Sequence, residues 1–292
     1  MKKLSLISFL LATMGLASAS PAWGETADNP RVTLSVSGHY MWIDGWAYAR
    51  EIAEEMYYTS EDMKPLDISE DLGIKNMWIL EAGADVRLTE RNHLDINYFY
   101  GINEGDGRIE DGTGFNDHDF PDPGRANGAV SIEALQLMWY LRALDRVADS
   151  GRYRLDLGLG WEGLRSYESF ETEELEGVFE TEAVYAPFVT FGYLRFDWSP
   201  VPAFSLGTEL EASFWSWENT DLDELPASGY FYRADLYGSV PLGKRLDLRG
   251  GANFWNYEVD FDGVETNHLN HVADNEVELF MMGSFFQLDL KI

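Results

Sequence analysis

The chain has 292 residues, no cysteine, and 51 acidic against 21 basic side chains, for a formal charge of −30 at pH 7. That charge excludes nucleic acid as a partner, because phosphates need basic surfaces. The missing thiols exclude a disulfide scaffold, a thiolate metal site and a lipid-modified N-terminal cysteine.

Residues 1–24 read as a secretory signal peptide. Lys2 and Lys3 form a basic start, and Leu4 to Leu16 is an apolar run too short to cross a bilayer. Ala17-Ser18-Ala19 or Ala22-Trp23-Gly24 supplies a cleavage site. The mature domain is expected over 25–292. It holds no apolar run of about 18 residues, so no transmembrane helix is predicted. An exported chain without disulfides needs another source of stability.

From residue 32 onward the dominant signal is alternation with period two, the mark of strands with unlike faces. Ten such segments fall at about 32–43, 77–88, 93–102, 130–143, 152–164, 184–198, 204–217, 230–241, 246–259 and 277–292. In the seventh, Phe204, Leu206, Thr208, Leu210, Ala212 and Phe214 oppose Ser205, Gly207, Glu209, Glu211, Ser213 and Trp215. The sixth carries aromatics on both faces, which predicts a bulge or register shift. Between the first two segments, Ala47–Met56 (AYAREIAEEM) is read as a short helix.

The connections alternate in length. Thr89–Asn92, Asp145–Gly151, Ser199–Ala203 and Leu242–Arg245 are short, and the other five run about 12 to 33 residues. An even strand count with short turns at one end and long loops at the other predicts an all-β fold. This is an antiparallel transmembrane β-barrel of ten strands, with long acidic extracellular loops and turns facing the periplasm. In a bilayer every backbone N–H and C=O must be paired within the protein, and without a long apolar helix only a closed barrel achieves that. A soluble sandwich would also alternate, but its strands typically run about five to six residues. The barrel encloses Glu81, Asp85, Arg87, Asp95, Arg152, Arg154, Asp156, Glu209, Glu211, Arg233, Asp235, Asp247 and Arg249. Trp42, Trp78, Trp139, Trp161, Trp198, Trp215, Trp217 and Trp255 lie toward strand ends, as aromatic girdles would. The C-terminal Phe286-Gln287-Leu288-Asp289-Leu290-Lys291-Ile292 resembles the signal read by the outer-membrane assembly machinery. The expected location is the outer membrane, with its lipid and lipopolysaccharide as partners.

The stretch FNDHDFPDP (115–123) sets Asp117, His118, Asp119 and Asp122 in the second long loop. Loop 1 adds Glu51, Glu54, Glu55, Glu61, Asp62, Asp67, Glu70 and Asp71. Loop 3 adds Glu168, Glu171, Glu173, Glu174, Glu176, Glu180 and Glu182, and loop 4 adds Glu218, Asp221, Asp223 and Glu224. This rim reads as solvated charge or as hard oxygen ligands for a divalent cation. It matches no twelve-residue calcium loop, and no resident cofactor or metal ligand set is assigned. The histidines are His39 on the interior face, His93 beside the first short turn, His118, and His268 with His271 in loop 5. The last two would share a metal only on a helical turn.

Asp117-His118-Asp119-Phe120 resembles the Asp-x-Asp-aromatic element of the omptin family, ten-stranded outer-membrane proteases. Arg152 to Trp161, with Arg165-Ser166-Tyr167-Glu168-Ser169-Phe170, resembles that family's fifth strand and the loop after it. The resemblance implies a catalytic set of Asp117, Asp119 and Asp223, with His118 as the available imidazole. It also implies lipopolysaccharide phosphate binding by Arg165, for which a guanidinium is suited. In loop 4, however, Leu225 stands where the family carries its histidine, and leucine cannot act as a general base. The sequence therefore predicts a non-catalytic barrel whose acidic rim binds cations, lipopolysaccharide or a partner surface. The alternative is an omptin-like endopeptidase acting on basic peptides. A passive pore is the third reading, and ten strands give a narrow lumen that side chains fill.

Overall fold

The computed structural model describes residues 31–53, 66–109, 114–115, 118–119, 124–172, 178–217, 227–265 and 271–292. Its strands are β1 (Val32–Ala53), β2 (Leu66–Asp67), β3 (Asn76–Arg87), β4 (Asn92–Ile109), β5 (Gly114–Phe115), β6 (His118–Asp119), β7 (Gly124–Ala148), β8 (Gly151–Thr172), β9 (Val178–Val201), β10 (Phe204–Trp217), β11 (Ala227–Pro241), β12 (Leu246–Glu265) and β13 (His271–Lys291). β2 is a two-residue pairing on β1, and β5 pairs only with β6. The remaining ten form one antiparallel sheet. It closes on itself where β1 meets β13, from Thr33↔Lys291 to Ala53↔His271. Closure leaves no free strand edge, the condition for crossing hydrocarbon. The predicted ten-stranded barrel is the observed fold.

Side chains sort across the wall as the alternation requires. In β7, Gln136, Met138 and Tyr140 are almost wholly buried, while Leu135, Leu137, Trp139 and Leu141 are 53, 40, 42 and 36 % exposed. β8 continues the exposed row with Leu157, Leu159 and Trp161, and β13 with Met282, Phe286, Leu288 and Leu290. Apolar side chains outside and ionised ones inside invert the soluble pattern. The outer face is a surface for lipid. Trp42 and Trp78 flank Tyr40 with ring centroids 5.5 and 5.0 Å away, one arc of an aromatic band. Trp215 and Trp255 do not join it. Both stand on inward-facing positions, and Trp255 is buried in the lumen, so the girdle expected for these two is corrected.

Where the chain leaves the lipid belt it stays in strands. β7, β8 and β9 run 25, 22 and 24 residues, against the roughly 9–11 a tilted strand needs to cross a bilayer. Most of the excess lies at the long-connection end, where Glu168, Glu171, Glu180 and Glu182, expected in loop 3, therefore sit on β8 and β9. The β7–β8 hairpin also runs past the belt at the other end, so the turn expected over Asp145–Gly151 shrinks to Asp149 and Ser150. The helix expected at Ala47–Met56 is likewise absent over 47–53. β1 continues through Ala53 in register with β13, because interstrand hydrogen bonds outweigh a modest helical propensity; residues 54–56 lie outside the described residues. His271 opens β13 opposite Glu265; His268, and with it the helical turn considered for the pair, lies outside the described residues. The irregularity expected around the sixth segment is present. The β8–β9 register shifts between Glu162 and Leu164 and again between Ser166 and Glu168, and β9–β10 shifts between Phe204 and Leu206.

Residues 66–75, where Asp67, Glu70 and Asp71 are expected on the solvated rim, form a folded segment instead, with Asp71 buried and accepting from Asp67 N. The segment folds onto the inner wall at the long-connection end. Asp67 Oδ1 accepts the amides of Ser69 and Glu70 at 2.8 and 2.7 Å, and Ile68 N donates to Gly45 O at 3.0 Å. Gly73 takes φ +68° to turn the segment back. Ile68, Leu72 and Ile74 are buried, and the wall opposite is glycine. A Cβ on Gly107 would stand 1.9 Å from Asp71 O, and one on Gly128 2.8 Å from Leu72 Cβ. Only glycine lets the segment lie this close.

Candidate functional site

The described lumen has two storeys. Toward the long connections, Met41, Met77, Ile79, Phe99, Phe191, Phe231 and Met281 form a continuous buried apolar layer, roofed by Ile68, Leu72 and Ile74. Toward the short turns lies a polar cavity of about 680 Å³. Twelve of the thirteen charged residues predicted to face inward line that cavity; the thirteenth, Asp156, is buried in the same storey with no exposed surface.

Arg233 on β11 joins the storeys. Its guanidinium lies 5.0–5.2 Å from the ring centroids of Phe99, Phe231, Trp255 and Tyr257. It donates to Glu162 at 2.8 Å, to Glu211 at 3.1 Å and through Nε to the Tyr257 hydroxyl at 2.5 Å. Gln136 Nε2 donates to both glutamates, at 2.7 and 2.9 Å. One cation and one amide thus hold two carboxylates that neither could hold alone.

A second network occupies the cavity wall. Asp156 accepts from Arg142 Nε at 3.1 Å and from Arg195 Nε at 3.1 Å. Arg195 also reaches Asp197 at 3.5 Å and Glu209 at 3.6 Å. Arg249 donates to Glu209 at 2.8 Å and lies 4.3 Å over the Tyr237 ring, whose hydroxyl donates to Asp197 at 2.6 Å. His93 Nδ1 meets Asp85 at 2.9 Å, and its ring stacks on Tyr140 at 4.7 Å. At the rim, beyond the lipid belt, Arg152 donates two bonds to Asp145, at 2.7 and 2.6 Å, and these hold that carboxyl below its ordinary range. Among the described residues, the buried polar atoms without a hydrogen-bond partner are His93 Nε2, Arg154 Nε, Asp247 Oδ1, Arg249 Nε and Asn253 Oδ1. Of these, only Asn253 does not line the cavity.

Ser37, His39 and Glu81 bring a hydroxyl, an imidazole and a carboxylate together. Ser37 Oγ is 2.7 Å from His39 Nε2 and donates to Glu81 at 2.7 Å; Glu81 is 3.1 Å from the same Nε2. A catalytic triad instead places nucleophile and carboxylate on opposite ring nitrogens. Here Nδ1 faces Asn253 at 2.8 Å. Ser37 and His39 are each 2 % exposed, and Trp255 and Phe285 pack on the imidazole. The cluster is a buried polar knot that ties β1 to β3 and β12.

Of the predicted site residues, His118 and Asp119 form β6, paired with Phe115 and Gly114 of β5. Arg165 lies on β8 opposite Glu133 and Tyr185. Asp117 and Asp223 are outside the described residues. No His/Asp/Glu group of the described residues has metal-binding geometry. Sequence reasoning found thirteen inward charges but missed Glu162, Arg142 and Arg195, which complete their networks, together with Gln136, the Ser37 knot and the plug of residues 66–75. The plug's signal lay in the glycines that receive it, Gly105 and Gly107 on one face of β4 and Gly128 on β7.

The chain matches no family model and no curated protein. Solved structures similar to it include outer-membrane proteins. The outer membrane protease OmpT of Escherichia coli aligns at 11 % identity with a TM-score of 0.49, covering 89 % of this chain and 97 % of that one. The translocator domain of the autotransporter NalP of Neisseria meningitidis aligns at 11 % and 0.38, covering 95 % of each. OprG of Pseudomonas aeruginosa aligns at 8 % and 0.33, covering 90 % and 99 %. By its own closure and its lipid-facing surface, the chain is a ten-stranded antiparallel β-barrel of the outer-membrane kind.

Proposed function

We propose that the protein is a non-conducting, non-catalytic outer-membrane barrel that presents an acidic binding surface outside the cell. The observation that carries this reading is the filled lumen. The apolar layer and the Arg233–Glu162–Glu211 knot occupy the cross-section, and the plug of residues 66–75 lies above them. The strand extensions carry carboxylates such as Glu168 and Glu171 beyond the lipid. These suit divalent cations, lipopolysaccharide held through bridging cations, or a cationic partner surface. Arg165 adds a guanidinium for lipopolysaccharide phosphate. The orientation follows from the connections: short turns in the periplasm, long ones outside.

In planar bilayers the refolded protein is expected to give no stable conductance steps, and calorimetry with calcium or magnesium is expected to show saturable heat. Regular steps would overturn the plugged lumen, and flat calorimetry would remove the cation partner. A second reading, an aspartate-dependent endopeptidase acting on basic peptides, is favoured by one observation. β5 and β6 hold His118 and Asp119 on one arm of a ladder beside β1. Cleavage of Arg- and Lys-rich peptides that disappears in an Asp117→Ala, Asp119→Ala double variant would establish it.

A further inference from the structure

The lining of the cavity at the short-turn end holds ten carboxylates and nine Lys or Arg side chains, but the charges are unevenly placed and two arginine donors are left over. On the β7–β8 wall three guanidiniums, Arg142, Arg152 and Arg154, face two carboxylates, Asp145 and Asp156, and Asp156 is also held by Arg195. Asp145 is taken bidentately by Arg152, which leaves Arg154 a single contact at 3.7 Å. That contact is made by Nε and is too long for a hydrogen bond, so this buried donor is unsatisfied. The Arg154 guanidinium feels the like charges of Arg152 and Arg142 as well as the carboxylates of Asp145 and Asp197. Arg249 Nε, also on the cavity lining, has no acceptor either. A guanidinium N–H can only donate, so each of these atoms calls for an acceptor, and burying a donor unpaired is costly. A cavity of about 680 Å³ is the size of a small-molecule pocket.

We propose that this cavity binds a small anionic solute, a phosphate or a carboxylate, through Arg154 with Arg142 and Arg152. A negative oxygen satisfies the orphaned Nε–H and relieves the repulsion among the three guanidiniums at once. The site is distinct from the acidic surface at the other end of the barrel, and it does not depend on what that surface binds.

The test is calorimetry of the full-length barrel refolded in detergent micelles. It is titrated with inorganic phosphate and, separately, with succinate, against sodium chloride at equal ionic strength. Saturable one-to-one binding of either anion is expected, and the one that binds names the ligand class. Arg154→Gln should weaken that binding at least about tenfold, the loss of one charge-assisted contact. Arg154→Lys, which keeps the charge and loses the fork, should fall between, and Arg125→Gln on the exposed face near the far rim should change nothing. Retained heat-modifiable gel mobility shows that each variant is folded. No saturable heat beyond chloride would mean that water alone satisfies these donors. Unchanged affinity in folded Arg154→Gln would place the anion elsewhere. Either result overturns the proposal.

Discussion

Replacing Arg233 with methionine is expected to destabilise the barrel by about 3–5 kcal/mol, the cost of leaving buried charge without its partner. Arg233 and Glu162 are 5 and 2 % exposed at their side chains, and Glu211 is 14 % exposed. Methionine fills much of the same volume and keeps the contacts with Phe99, Phe231 and Trp255, so the loss is electrostatic. Gln136 cannot compensate, because its one amide nitrogen already bridges both glutamates. Adding Glu162→Gln and Glu211→Gln should recover most of the stability, since an uncharged cluster has no unpaired ion. Urea titration of the refolded protein in micelles measures both effects. A loss below about 1 kcal/mol in the single variant, the range of an exposed ion pair, would show that water reaches the knot.

Leu137→Arg is expected to cost about 2–4 kcal/mol, the penalty for a cation facing lipid near the bilayer midplane. Leu137 is 40 % exposed and lies between Leu135 and Trp139 in the outward row of β7. In a water-soluble protein the same exposed position would tolerate arginine within about 0.5 kcal/mol. The size of the effect therefore separates lipid from water as the outer medium. Reversible unfolding from phospholipid vesicles is the appropriate assay, because micelles soften the penalty.

The period-two alternation was enough to identify the ten strands, their inner and outer faces and most of the lumenal charges. Each depends only on which side of one strand a residue occupies. The ends of the strands were not legible. Beyond the lipid belt the apolar row gives way to carboxylates such as Glu168, Glu171 and Glu180, and a solvated strand then looks like a loop. Residues 47–53 show the competing case: their composition favours a helix, but the row of open hydrogen-bonding groups on β13 decides. The plug at 66–75 was invisible because its partners are glycine backbones on β4 and β7, far away in sequence. The charge pairing was equally hidden. Alternation places Arg233 inside, but 71 residues separate it from Glu162, and only the stagger of the closed barrel brings the two within 2.8 Å. For the aspartates around His118, the sequence offered chemistry without an address across the barrel mouth. Asp117 and Asp223 remain a proposal to be tested by peptide cleavage.

The claim on which the rest depends is that the apolar rows of the wall touch hydrocarbon while the ionised rows are enclosed. The chain has no cysteine, so single cysteines can be placed one at a time through 135–142 and spin-labelled in vesicles without a background signal. At 135, 137, 139 and 141 the label should collide often with lipid-soluble oxygen and rarely with a water-soluble nickel chelate. At 136, 138, 140 and 142 oxygen collisions should fall, giving a period of two. Frequent nickel collisions at the odd positions, or oxygen accessibility without alternation, would contradict the barrel's placement in the membrane.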